Sequence, residues 1–229
     1  MKLKKIASLM LAGIMAVSML AGCNGAPIDD DSNGGDQGNT ASGYSAMMGD
    51  KLAADLEDKD LDDIVTFADS ATDQAALEDA LGNLGSVDIA KYSGVAEPIG
   101  VGNPVRDDFK DAAGVEIRRL LTPTAGDFFD TWTNVGNTRK IGAVFAVDGT
   151  VKLDKAIGML VEDYKAAFTG LESGVTVKDN TDPHNKTTDY DFAYTVSVSV
   201  VNVPVTSVTI YNNSVNFIAL TITRTASVA

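Results

Sequence analysis

Cysteine, histidine and positive charge are scarce in these 229 residues, which hold one Cys, one His, and 18 Lys and Arg against 32 Asp and Glu. A single cysteine forms no disulfide within the chain, so the fold has to be held by its core alone. Zinc sites that need several thiolates, or two or three histidines, are excluded by the same counts, and so is the H-E-x-x-H motif. A formal net charge of −14 repels phosphate backbones, which excludes nucleic-acid binding. Beyond residue 23 neither G-x-S-x-G nor S-x-x-K with its partners occurs.

What is present begins at the N-terminus. Lys2, Lys4 and Lys5 precede an apolar run over residues 6–21, broken only by Ser8, Gly13 and Ser18. As a helix it would reach about 24 Å, short of the roughly 30 Å of a bilayer's hydrocarbon core. It reads as a secretory signal peptide. The run ends in Leu20-Ala21-Gly22-Cys23. These four residues resemble the lipobox of bacterial prolipoproteins at every position, and the resemblance covers residues 1–23 only.

That resemblance implies a diacylglyceryl group on the Cys23 sulfur and cleavage just before Cys23, with Leu20, Ala21 and Gly22 as the signal-peptidase recognition residues. Cys23 would then be the mature first residue, its thiol unavailable for catalysis. The implied partner is the membrane, reached through lipid from the extracytoplasmic side, in a host with one membrane or two. Burial of acyl chains contributes about 0.8 kcal/mol per methylene, and stable attachment takes two chains, which a diacyl anchor supplies. The alternative is an ordinary secretory signal with a chance cysteine beside it. Loss of the leader's three lysines takes the net charge from −14 to −17.

Residues 29–40 align with a calcium loop: Asp29, Asp31 and Asn33 fall on the first ligand positions and Gly34 on the turn. Thr40 stands where the closing bidentate glutamate belongs, and the flanks lack the periodicity of two helices. Residues 24–43 consist largely of Gly, Asn, Asp, Ser and Thr, a composition that cannot offset its ordering entropy. They read as a flexible acidic tether with an r.m.s. span of roughly 25 Å.

Three domains of the chain follow: 1–22 signal peptide, 23–43 lipidated cysteine and tether, 44–229 a single extracytoplasmic domain of α+β class. Its first part reads as a helical cluster. Tyr44, Met47, Met48, Leu52 and Leu56 recur at helical spacing, as do Leu61, Ile64, Val65 and Ala68, and then Ala76, Leu77, Ala80, Leu81 and Leu84. Asp58, Asp60, Asp62 and Asp63 lie where the N-terminus of the second helix would favour negative charge. Asn103-Pro104 signals a helix start, with Phe109, Ala112, Ala113, Ile117, Leu120 and Leu121 on one face before Pro123. Phe128, Phe129 and Trp132 read as core anchors rather than a sugar platform.

Residues 141–147 read as a strand, Asp148-Gly149 as a tight turn and residues 150–153 as the return strand of a hairpin. An amphipathic helix follows, with Asp154 as N-cap, Ile157, Leu160, Val161, Tyr164 and Phe168 on one face, and Gly170 as the stop. The last forty residues read as a three-stranded antiparallel meander packed on helices. In it Tyr194, Val196, Val198 and Val200 alternate with Thr195, Ser197 and Ser199, and Ile218, Leu220 and Ile222 with Ala219, Thr221 and Thr223. Asn212-Asn213 separates its second and third strands. The hydroxyl-rich face reads as solvated.

His184, in a turn-like Thr-Asp-Pro-His-Asn, is the one histidine a triad would have to use, and it reads as a solvated turn residue. Residues 100–105, Gly-Val-Gly-Asn-Pro-Val, lack the third glycine and the lysine of phosphate loops. No catalytic residue, metal or cofactor is expected. Two functions remain: a noncatalytic binding or structural domain of the envelope, contacting an extracellular protein or glycan, or an anchored hydrolase of glycan or cell-wall polymer that uses two carboxylates. The tether reading predicts one unfolding temperature in calcium and in chelator; a rise in calcium would show residues 29–40 to be a metal loop after all.

Overall fold

The computed structural model describes residues 43–82, 84, 90–92, 97–98, 103–116, 136–178, 186–204 and 214–229. The chain divides into two units, Met1–Thr40 and Ala41–Ala229, and every described residue lies in the second. In chain order the elements are α1 (Tyr44–Glu57), β1 (Val65–Phe67), α2 (Ala71–Gly82), a 3-10 turn (Ala90–Tyr92), β2 (Glu97–Pro98), α3 (Pro104–Ala113), β3 (Arg139–Asp148), α4 (Leu153–Thr169), β4 (Gly174–Lys178), β5 (Thr187–Pro204) and β6 (Ser214–Val228). The class is α+β.

The strands form one six-stranded sheet in the order β1-β5-β6-β3-β2, with β4 also on β5. All pairings are antiparallel except β1 on β5. A three-stranded antiparallel meander exists as β4-β5-β6, but it is not the one expected: β4 precedes the last forty residues, whose described strands are β5 and β6. The expected second strand, between Val200 and Asn212-Asn213, begins where β5 runs on unbroken to Pro204, and residues 205–213 lie outside the described residues.

Helices cover both faces of the sheet. On one face α1 and α4 bury Met48, Leu52, Leu160, Tyr164 and Phe168 against Val196, Val198, Leu220 and Ile222. On the other, α2 and α3 bury Leu77, Leu81, Val105 and Phe109 against Val144, Val215 and Phe217. This corrects the solvated hydroxyl face: Thr195 is exposed, but Ser197, Ser199 and Thr221 are buried beneath the second helical layer. Small hydroxyl side chains leave room for helices to lie close, and each needs only one hydrogen bond to be tolerated inside.

The predicted helix over Leu61, Ile64, Val65 and Ala68 is instead a turn and strand β1. Its helical spacing is overruled by the end of α1. Asp60 takes the left-handed conformation, φ 54°, the Leu61 N–H reaches back to the Leu56 carbonyl at 2.9 Å, and the Asp60 N–H to Glu57 at 3.0 Å. Both Leu56 and Leu61 are buried in the same cluster, the hydrophobic contact of a Schellman end. Asp58, Asp60, Asp62 and Asp63 consequently follow a helix C-terminus, not an N-terminus, and their charge meets the unfavourable end of the dipole.

The predicted return strand at residues 150–153 is also absent. The Asp148 carboxylate accepts from the Thr150 N–H at 2.8 Å and from its hydroxyl at 2.6 Å. That local turn leads the chain into α4, whose N-cap is Lys152, with Asp154 in the first helical turn. By contrast Asn103 caps α3 as expected: its side chain accepts from the Val105 N–H at 3.1 Å, with Pro104 at the first helical position. Gly114, φ 64°, ends α3; Ile117, Leu120, Leu121, Phe128, Phe129 and Trp132 lie outside the described residues. Asp60→Gly is expected to raise unfolding free energy by about 0.5–1 kcal/mol, because glycine removes the left-handed penalty and the charge. Urea titration checks it; an equal or lower midpoint would contradict this ending of α1.

Candidate functional site

Leu20, Ala21, Gly22 and Cys23 lie outside the described residues, as do His184 and residues 29–40. A concave feature among the described residues lies instead on the α1–α4 face. Two rows at helical i, i+4 spacing run along the exposed side of α4, Asp154-Gly158-Glu162 and Lys155-Met159-Asp163, with Lys51 of α1 beside them. Together they line an open depression of about 520 Å³. Gly158 lines it between Asp154 and Glu162 without a side chain. A Cβ at Gly158 would meet the Lys51 Nζ at 4.0 Å.

Lys51 spans the rim to Asp154 at 2.6 Å, and Lys165 ties α4 to Asp55 of α1 at 2.5 Å. The aspartate of the first pair is 68% exposed and the lysine of the second 46%, so both add little stability, but they fix where the charges stand. Met159, 37% exposed, is one of two large hydrophobic residues exposed among the described residues. The depression thus offers two ammonium groups, three carboxylates and a thioether. Asp154, Glu162 and Asp163 are all exposed, so none is desolvated as a general acid has to be. The chemistry on offer is polar contact.

The buried carboxylates are elsewhere and are committed. Asp73, in the first turn of α2, is 1% exposed. It pairs with Lys140 of β3, and its second oxygen accepts from the Thr221 hydroxyl of β6 at 2.7 Å. Lys140 also donates to the Ala113 carbonyl at 3.1 Å. One salt bridge therefore joins α2, α3 and the two central strands. Asp148 is spent on the turn described above.

Beside Arg139 at the start of β3, Arg224 of β6 is fully buried, its guanidinium 4.4 Å from the Phe192 ring centroid. Burial lowers its pKa, and the cation over the ring face offsets part of that cost. Beside it the Tyr194 hydroxyl donates to the Glu172 carbonyl at 2.7 Å, and burial raises its pKa. These groups pack an end of the core and present no opening.

Among the described residues no group of three or more His, Cys, Asp and Glu is placed to hold a metal ion. No helix of the described residues is long and apolar enough to cross a membrane. No family model matches the chain, and neither a curated protein nor a solved structure matches it.

Neither the depression nor the Asp73 salt bridge was identifiable beforehand. The i, i+4 rows on α4 can be read from sequence, but Lys51 and Lys140 come from distant elements and only tertiary packing supplies them.

Tyr164, 2% exposed on α4, makes stability depend on pH at the alkaline end. Burial, and then the neighbouring Asp163 charge, push its pKa up from 10.0 to about 12. Between those values the folded state keeps a proton that the unfolded chain releases. Stability is therefore full below pH 10 and declines above it, by up to about 1.4 kcal/mol per pH unit for this group. Tyr44 and Tyr194 shift in the same direction. Urea midpoints are expected to fall from pH 9.5 to 11.5, less steeply in Tyr164→Phe; a flat profile would contradict the assignment.

Proposed function

We propose that this protein is a lipid-anchored extracytoplasmic lipoprotein whose α+β domain is a noncatalytic binding or structural module of a bacterial envelope. The observation that carries the reading is Leu20-Ala21-Gly22-Cys23 at the end of a basic and then apolar leader. The acidic, glycine-rich stretch between Cys23 and Gly43 supports it, since such a stretch holds a domain clear of the bilayer. The solvated charges and exposed Met159 on the α1–α4 face support contact with a polar extracellular protein or glycan.

In cells fed labelled fatty acid, the wild-type chain is expected to carry label and to fractionate with membranes. Cys23→Ala is expected to lose the label and to move to the soluble extracytoplasmic fraction. Unchanged membrane retention of that variant, or an unlabelled wild type, would end this reading.

A further inference from the structure

We propose that α2 and α3 form a displaceable cover that opens as a unit from the sheet while α1 and α4 stay docked. The two helical layers are held by different means. α1 and α4 bury Met48, Leu52, Leu56, Leu160, Tyr164 and Phe168, all large. α2 and α3 together bury Leu77, Leu81, Val105 and Phe109, the rest of their apolar contact being Ala76, Ala80 and Ala113. Apolar area removed from water is what separation has to restore, and four large side chains under α2 and α3 leave less of it than the six under α1 and α4.

The other attachments of α2 are polar. Asp73 holds Lys140 and Thr221, and the Gln74 side chain donates to the Val200 carbonyl at 3.2 Å while accepting from the Val200 N–H at 3.2 Å. Water replaces each of these contacts once the helix lifts, so their net resistance to opening is small. Opening also rehydrates a buried ion pair, which recovers part of its desolvation cost.

The seam beneath favours opening in one further way. Ser197 and Ser199 of β5 and Thr221 of β6 are buried there, and the Ser197 hydroxyl has no hydrogen-bond partner among the described residues. A buried hydroxyl without a partner regains one from water. The sheet itself loses no ladder bond, because β5, β6 and β3 pair with one another and not with the cover. Opening lays bare Ser197, Ser199 and Thr221 beside Thr195 and Thr223, a flat face of hydroxyls in register across two strands.

Native-state hydrogen exchange of the full mature chain, read by mass spectrometry, tests this. The amides of α2 and α3 are expected to exchange at least tenfold faster than those of α1 and α4. Asp73→Asn is expected to speed α2 and α3 by a further tenfold or more and to leave α1 and α4 within twofold. One common rate for all four helices in the wild type, or equal acceleration of all four in the variant, overturns the proposal. Should Asp73→Asn not fold, the wild-type exchange series in rising urea decides: opening of α2 and α3 at lower urea than α1 and α4 supports the cover, coincident opening refutes it.

Discussion

The antiparallel ladder between β5 and β6 is the constraint on which the rest of this fold depends. Fifteen residues of each strand are in register, from Tyr190 opposite Val228 to Pro204 opposite Ser214. The core of β6, Val215 to Ile222, is buried at every position, the mark of a central strand covered on both faces. β3 continues the sheet on its far side over ten pairs. The register also sorts chemistry between layers: Val196 and Val198 face α1 and α4, while Ser197 and Ser199 face α2 and α3. A slip of one residue would push hydroxyls into the larger core and valines onto the Asp73–Lys140 pair, so alternatives are strongly disfavoured.

A ladder this long leaves an outer edge on β5 to be closed, and it is closed piecemeal. β4 covers Thr187 to Asp191 and β1 covers Tyr194 to Val196. Beyond β1 side chains take over: the Ser45 hydroxyl accepts from the Val198 N–H at 2.9 Å, and the Gln74 amide satisfies both groups of Val200. Two helices thus finish a sheet edge with single side chains, removing a template for pairing with another chain. Asp69 completes the arrangement by accepting from the backbone N–H groups of Gly43 and Ser45 at 3.1 and 3.2 Å. The same carboxylate therefore places Ser45 on the edge and holds Gly43 at the start of α1.

Sequence pattern revealed the elements whose cause is local. α4 was legible because its large apolar residues recur at the helical period, and the start of α3 because Asn103 and Pro104 supply the cap within two residues. β1 was not: three residues cannot show alternation, and Leu61, Ile64 and Val65 mimic helical spacing. What decides there is the left-handed Asp60, a conformation that aspartate tolerates without announcing it. The alternation of hydroxyls on β5 was visible too, but alternation says only that two faces differ. Which face water keeps depends on where α2 and α3 dock, and that rests on Asp73 meeting Lys140 and Thr221 from distant parts of the chain. The depression on α4 shares this limit, since one of its rims is Lys51.

The folded surface and the proposed anchor divide the physical work between them. Among the described residues only Met159 and Val228 expose large hydrophobic side chains, too little apolar area to hold a domain on a bilayer. The acidic excess adds repulsion from anionic headgroups. On the proposed reading, attachment to a membrane rests on acyl chains on Cys23. The separation has a consequence for recognition. On the same reading the α1–α4 face is left for recognition, and its two ammonium groups, three carboxylates and one thioether suit a polar, hydrated partner.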